Sequence, residues 1–192
     1  ENYVFRGRED QWGAQVDTPG LPEEGPLPAH APPLAEPGER YFCSVRNVMH
    51  TLNRMSAVAL GLDEQFFDPF FTQPSCALRL AHYPPLPPSI QNGQLRYGAH
   101  TDYQGFTILL QDDGDEGVDG AGGLEVHLNN KWLPVTPRAG CFVVNIGDLY
   151  EVWTNGRWKS TVHRVNNPPT GSEAASRDRY SIPFFTGPND EA

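Results

Sequence analysis

The most regular spacing of apolar positions falls at Tyr41, Val45, Val48, Leu52, Met55 and Ala59, in steps of four and three. That is the period of an amphipathic helix, and it predicts one over Arg40–Leu60, stopped by Gly61 and packed against a sheet. His50 lies with Arg46, Asn53 and Arg54 on the opposite side and is expected to be a solvated surface residue. Upstream, residues 13–38 hold Pro19, Pro22, Pro26, Pro28, Pro32, Pro33 and Pro37. Each proline fixes φ and removes a donor, so this stretch is expected to be an extended segment over the domain surface. Downstream, Asp63–Phe67 reads as a short helix.

Beyond it the period drops to two. β-rich runs stand at Ala77–Tyr83, Gly105–Gln111, Gly123–His127, Lys131–Val135, Cys141–Ile146, Ser160–Val165 and Arg179–Phe185, with Gly, Pro, Asn and Asp between them. Asn129-Asn130 reads as a hairpin turn, and Pro137–Gly140 ends the strand that follows. Many short strands with turn signals imply a sandwich or barrel. The expectation is a single mainly β domain over residues 1–192, with an extended segment (1–38), a helical support (39–75) and a β core (76–188).

Composition narrows the function. The 192 residues carry 14 basic and 24 acidic side chains, a net charge of −10, with no Lys/Arg stripe to attract nucleic acid. Cys43, Cys76 and Cys141 are odd in number and widely spaced, which suits buried thiols in a reducing compartment. No stretch has the length and apolarity of a membrane span, and Glu1–Arg6 lacks the layout of a secretion signal. These features predict a soluble cytosolic protein, monomeric by default, that binds neither nucleic acid nor membrane.

His100 and Asp102 begin a run that continues through Phe106–Leu110. Residues i and i+2 of a strand point the same way, so both are expected to face the interior from one strand. In Ser160–Val165, alternation puts Thr161, His163 and Val165 on one face, and His163 can reach the first pair only by tertiary closure. Two neutral imidazoles and one carboxylate can hold one face of an octahedral metal and leave the other free, which suits non-heme Fe(II). A lone His-x-Asp is more often a turn or surface pair. The bland reading loses weight when Arg179 and Ser181, again i and i+2, bring a guanidinium fork and a hydroxyl to one side of a third strand. That pair suits a carboxylate, and its alternative is a structural ion pair. The acidic run Asp112–Gly120 lacks calcium-loop spacing, since counting from Asp113 puts Val118 sixth and Leu124 twelfth, and it reads as a solvated loop or lid.

From about Ala77 to Phe185 the chain carries Arg79-Leu80-Ala81-His82-Tyr83-Pro84-Pro85, Gly98–Asp102, Gly122–Val126, Val144–Asp148, His163–Val165 and Arg179–Ile182. With these motifs it resembles the 2-oxoglutarate- and Fe(II)-dependent oxygenase superfamily, in the subgroup of isopenicillin N synthase and the plant-type dioxygenases. The resemblance implies a double-stranded β-helix (jelly roll) with packed helices. It makes His100, Asp102 and His163 the iron ligands, and Arg179, Ser181 and Tyr83 the anchor for the distal carboxylate of 2-oxoglutarate. Dioxygen is then the second cosubstrate, and Phe185 lines the pocket of a small organic substrate. The implied reaction oxidises an unactivated C–H bond and releases succinate and CO2. The chain departs from the family pattern at Ala81, where relatives commonly have Asn, and in a longer 166–178 segment. It is also expected to lack N- and C-terminal family elements.

Two rival readings remain at this level. One is an isopenicillin N synthase-type Fe(II) oxidase that uses no 2-oxoglutarate, and the other is a jelly-roll binding module without turnover. Trp132, Tyr150, Trp153, Trp158 and Phe185 suit either an aromatic pocket or plain core, and in β-rich domains core is the commoner use.

Overall fold

The computed structural model describes residues 2–6, 35–87, 89, 93–112 and 123–190. In chain order these form β1 (Asn2–Arg6), α1 (Ala35–Leu60), β2 (Cys76–Tyr83), β3 (Tyr97–His100), β4 (Phe106–Gln111), β5 (Leu124–Leu128), β6 (Lys131–Pro134), β7 (Val143–Ile146), α2 (Asp148–Trp153), β8 (His163–Val165) and β9 (Arg179–Thr186). Short 3-10 turns add Asp68–Phe71 and Glu173–Ser176. The chain divides into two compact units, Tyr3–Arg79 with Phe184–Ala192, and Glu1–Asn2 with Leu80–Pro183.

In the first, helical unit, α1 starts at Ala35, five residues ahead of the expected Arg40. Pro37 falls in the first turn, where backbone N–H groups have no partner inside the helix and a missing donor costs little. Residues 35–38 are therefore helical and not extended, while 13–34 lie outside the described residues. The buried face of α1 is Phe42, Val45, Met49, Asn53, Ser56 and Ala57, whereas Met55 is 62% exposed. The expected period is right, but four stripe positions are displaced by one residue, each a rotation of about 100°. Two polar residues, Asn53 and Ser56, occupy the inner face, and a stripe drawn through apolar residues alone cannot find them.

Phe42 meets Phe184 edge to face, with ring centroids 5.1 Å apart, and the Cys76 sulfur lies 3.7 Å from that of Met49. Burial pushes the Cys76 thiol up to about 12. Cys43 is half-buried and Cys141 is exposed, so only one of the three expected core cysteines is fully buried. His50 is half-buried too, in a groove it lines with Arg46, Arg54, Asp68 and Phe71, which corrects its expected solvated placement. The expected helix at Asp63–Phe67 is a run of turns that leads into the 3-10 turn. Among the described residues no helix is long and apolar enough to cross a membrane.

The strands follow the order β1-β2-β9-β4-β7 in one sheet and β3-β8-β5-β6 in the other. In the second unit β4 pairs antiparallel with β7, from Phe106 opposite Ile146 to Leu109 opposite Val143. Phe106, Thr107, Ile108 and Leu109 are all buried, so β4 is a continuously buried run, as strands covered on both faces are. The β5–β6 hairpin closes at Leu128 opposite Lys131, with Asn129 and Asn130 at φ of 50° and 61°. Two successive left-handed residues match the strand twist, which confirms the expected turn.

Gly147, between β7 and α2, admits no side chain, because a Cβ there would sit 2.1 Å from the Gln104 carbonyl oxygen. On α2, Tyr150 is fully buried and stacks on Phe106 at 4.6 Å, with Trp153 and Trp158 beside it. Burial also raises the Tyr150 phenol above its ordinary range. Of these aromatics Phe106 and Tyr150 are core, whereas Trp158 is half-buried and Trp153 is exposed. Trp132 on β6 instead carries the Arg164 guanidinium at 4.1 Å from its ring centroid, and Arg164 Nε donates to Glu125 at 2.6 Å.

Candidate metal centre

The second unit brings His100, Asp102 and His163 together, with one ligand atom from each lying within 4.8 Å of the others. Strand pairing does most of the work. β8 lies between β3 and β5, which places His163 opposite His100 on one side and Val126 on the other. His100 ends β3, Asp102 lies in the irregular 101–105 segment, and β4 starts at Phe106 in the other sheet. The expected single strand through His100 and Asp102 is therefore absent. The 101–105 segment is held by α2, whose Asp148 backbone N–H donates to the Asp102 carbonyl at 2.7 Å, while the Thr101 hydroxyl donates to the Asp148 carboxylate at 3.2 Å.

Each imidazole is fixed from behind. Nδ1 of His100 lies 2.8 Å from the Gly98 carbonyl oxygen, and Nδ1 of His163 lies 3.0 Å from that of Thr161. A carbonyl only accepts, so each Nδ1 carries the hydrogen and each neutral ring presents a bare Nε2. Both Nε2 atoms stand 3.8 Å from an Asp102 oxygen, too far for a hydrogen bond. Asp102 itself is 8% exposed, and its Oδ2 accepts from the Thr107 hydroxyl at 2.6 Å and the Asn145 amide at 2.7 Å. Two bare nitrogens and an oriented carboxylate form a donor set for a divalent metal, with outer partners that fix tautomer and direction.

Arg179 and Ser181 share the inward face of β9, at 3% and 7% exposure, and Tyr180 between them points outward. The Arg179 guanidinium carbon lies 5.0 Å from the centroid of the Tyr83 ring, at the end of β2. Nη2 donates to Gln111 at 3.4 Å, while the buried Nε and Nη1 have no hydrogen-bond partner among the described residues. Burial lowers the pKa of Arg179, and the nearby Tyr83 opposes that shift. A desolvated fork with donors to spare, beside a hydroxyl, suits an incoming carboxylate. Asp112 adds a favourable field at Arg179, and among the described residues no carboxylate forms an ion pair with it, so the structural ion pair weighed as the alternative is not seen there.

Phe185 is half-buried in the part of β9 that belongs to the helical unit, next to Phe184. The acidic run from Asp113 onward lies outside the described residues. Sequence reasoning did not assign roles to Thr107, Asn145, Asp148, Gln111 and Arg96. Of these, Asn145 and Asp148 stood in a quoted motif, and the in-register pairing of Thr107 with Asn145 across β4 and β7 explains why both reach Asp102.

A two-sheet β scaffold with a His/Asp/His cluster and a buried carboxylate fork defines a class of metal-dependent oxygenases, and similarity specifies which. The model of the 2OG-Fe(II) oxygenase superfamily matches residues 74–188, and the chain belongs to that family. Its fold is the double-stranded β-helix of the solved relatives. A 2-oxoglutarate-dependent dioxygenase of Didymella fabae is 38% identical over 159 residues, which cover 80% of this chain and 44% of that protein. The 2-oxoglutarate-Fe(II) type oxidoreductase hxnY of Emericella nidulans is 37% identical over 192 residues, 97% of this chain and 48% of that one. A full-length Neurospora crassa protein, in a crystal structure with α-ketoglutarate and thymine, superposes with a TM-score of 0.82 at 36% identity, covering 100% of this chain and 54% of that one. The chain thus spans about half the length of the relatives it matches.

Proposed function

We propose that this protein is a non-heme Fe(II), 2-oxoglutarate-dependent oxygenase that oxidises a C–H bond of a small organic substrate. The observation that carries the reading is one compact unit holding both the His100/Asp102/His163 donor set and the under-bonded Arg179 fork. His100 and His163 would bind iron through Nε2 and Asp102 through its carboxylate. Arg179, Ser181 and Tyr83 would take the distal carboxylate of 2-oxoglutarate. Bound iron supplies the activation of dioxygen, coupled to oxidative decarboxylation of 2-oxoglutarate to succinate and CO2. The protein's own part is positioning and desolvation. Gly98 and Thr161 hold the tautomers, Thr107 and Asn145 hold the carboxylate, and the burial of Arg179 strengthens its pairing with an anion.

The subgroup we favour is that of isopenicillin N synthase and the plant-type dioxygenases, supported by 34% identity over 161 residues to gibberellin 20 oxidase 2 of rice. The substrate class follows the Neurospora crassa structure, which contains thymine beside α-ketoglutarate. Free cysteines support a cytosolic location, and the net charge of −10 supports a protein that avoids nucleic acid and anionic membranes. The test is anaerobic loading with Fe(II), then dioxygen and a panel of small heterocycles and acids. Succinate formed in step with dioxygen consumed is the expected result. Dioxygen uptake without succinate would indicate an oxidase that needs no cosubstrate, and iron binding with no uptake across the panel would indicate a binding module.

A further inference from the structure

The neighbourhood of Tyr83 contains a second arginine, Arg96, four residues before His100 at the entry to β3. Its guanidinium carbon lies 5.8 Å from the centroid of the Tyr83 ring, against 5.0 Å for that of Arg179, so two cations attend one aromatic ring. Arg96 makes one long hydrogen bond, from Nη2 to the Pro84 carbonyl at 3.4 Å, and its buried Nε has no partner among the described residues. Burial lowers the pKa of Arg96 as it does that of Arg179, and the positive charge of Arg96 adds to the lowering at Arg179. Two like charges brought together with N–H groups left over cost free energy that packing does not explain. In a chain of net charge −10, carboxylates were plentiful to pair with them. The arrangement makes sense if a ligand brings the anion.

We infer that Arg96 is a second cation of the distal-carboxylate anchor, acting with Arg179 about the Tyr83 ring to select 2-oxo acids that carry a second carboxylate. This rests on the cosubstrate reading above. Arg96 holds the phenol by its cation–π contact and adds positive potential where the distal carboxylate binds, while the 2-oxo acid end is left to the metal cluster. It is a positioning residue and need not touch the reacting atoms.

The test uses the full chain loaded with Mn(II) without dioxygen, titrated calorimetrically with 2-oxoglutarate and, separately, with pyruvate, a 2-oxo acid without the distal carboxylate. Arg96→Gln should weaken 2-oxoglutarate about tenfold, the effect of one desolvated cation contact, and leave pyruvate unchanged. Arg96→Lys, which keeps the charge, should recover most of the loss. Unchanged 2-oxoglutarate affinity in Arg96→Gln, or equal weakening of both ligands with no recovery by Lys, overturns the inference. Failure of the cosubstrate reading itself looks different, because the unmutated protein would then bind 2-oxoglutarate no more tightly than pyruvate.

Discussion

Asp102 and Arg179 are both buried charges in one compact unit, yet they are supported in opposite ways. Asp102 is 8% exposed and accepts two short hydrogen bonds, from Thr107 and Asn145, at the oxygen that also faces His163. Arg179 is 3% exposed, with a long 3.4 Å bond to Gln111 and Tyr83 beside it, and its Nε and Nη1 have no hydrogen-bond partner among the described residues. A metal ligand must already point correctly when the ion arrives, so its supports are built into the protein. A ligand-binding fork must keep its donors open, because a donor already satisfied contributes little to binding. The carboxylate is preorganised and the guanidinium is held in reserve, and the difference shows which partner each awaits.

Substitutions can break this comparison at either end. His163→Ala removes a metal ligand outright and should reduce Fe(II) affinity by more than the roughly 10- to 100-fold expected for an outer partner. Equilibrium dialysis checks this, and retention of iron at wild-type strength would refute the ligand role. Next in size is Arg179→Met, which should act in two directions. 2-Oxoglutarate binding should weaken by about 2–5 kcal/mol, the cost of truncating one side of a buried charge pair. The ligand-free protein should meanwhile become more stable, by on the order of 1 kcal/mol, because an under-bonded buried charge has been replaced by an apolar chain of similar length. Titration calorimetry and thermal melts of the apo protein measure the two arms, and a melting temperature that falls would show that Arg179 is structurally satisfied after all.

Asn145→Ala tests the opposite design. Asp102 keeps its bond from Thr107 but loses that from Asn145, so Fe(II) affinity should fall about tenfold, near the lower end for outer partners. Affinity for 2-oxoglutarate at saturating metal should stay unchanged. Weakening of the cosubstrate to the same extent would mean that the two buried charges are coupled and not independently built.

The ligands were legible in the sequence because each keeps its chemistry in a short local pattern. His100 and Asp102 stand two apart, Arg179 and Ser181 stand two apart on a strand, and His163 lies in a β-rich run. What holds those residues was not legible. The Gly98 and Thr161 contacts are backbone carbonyls, which no side-chain pattern encodes. Thr107 and Asn145 converge on Asp102 only through the register of β4 against β7. The strand expected through Asp102 is interrupted because the chain changes sheets between β3 and β4, a tertiary event with no local signal. α2 is short and was not foreseen, although Gly147 before it marks a close backbone approach. On α1, Asn53 and Ser56 hide the true buried face from a search for apolar residues.

The smallest predicted effect lies in the helical unit, where His50 repeats the contrast between a supported and an unsupported charge. Burial in the groove lowers its pKa from 6.5, Arg46 and Arg54 add to the lowering, and Asp68 opposes them. Asp68 is already engaged by Arg54 at 2.9 Å, so its pull on His50 is shared. A group whose folded pKa is depressed binds fewer protons in the folded state than in the unfolded chain. As pH falls through 6.5 the unfolded chain takes up the proton first, and stability drops with falling pH. Above that value both states are neutral and His50 contributes no slope. His50→Gln should therefore leave the urea midpoint nearly unchanged at pH 8 and reduce its decline between roughly pH 6.5 and 5. The chain has six histidines, so the decisive quantity is the difference between mutant and wild-type slopes, not the slope itself. Identical slopes would show that His50 takes up its proton in the groove as readily as in water, and that Asp68 supports it as fully as Thr107 and Asn145 support Asp102.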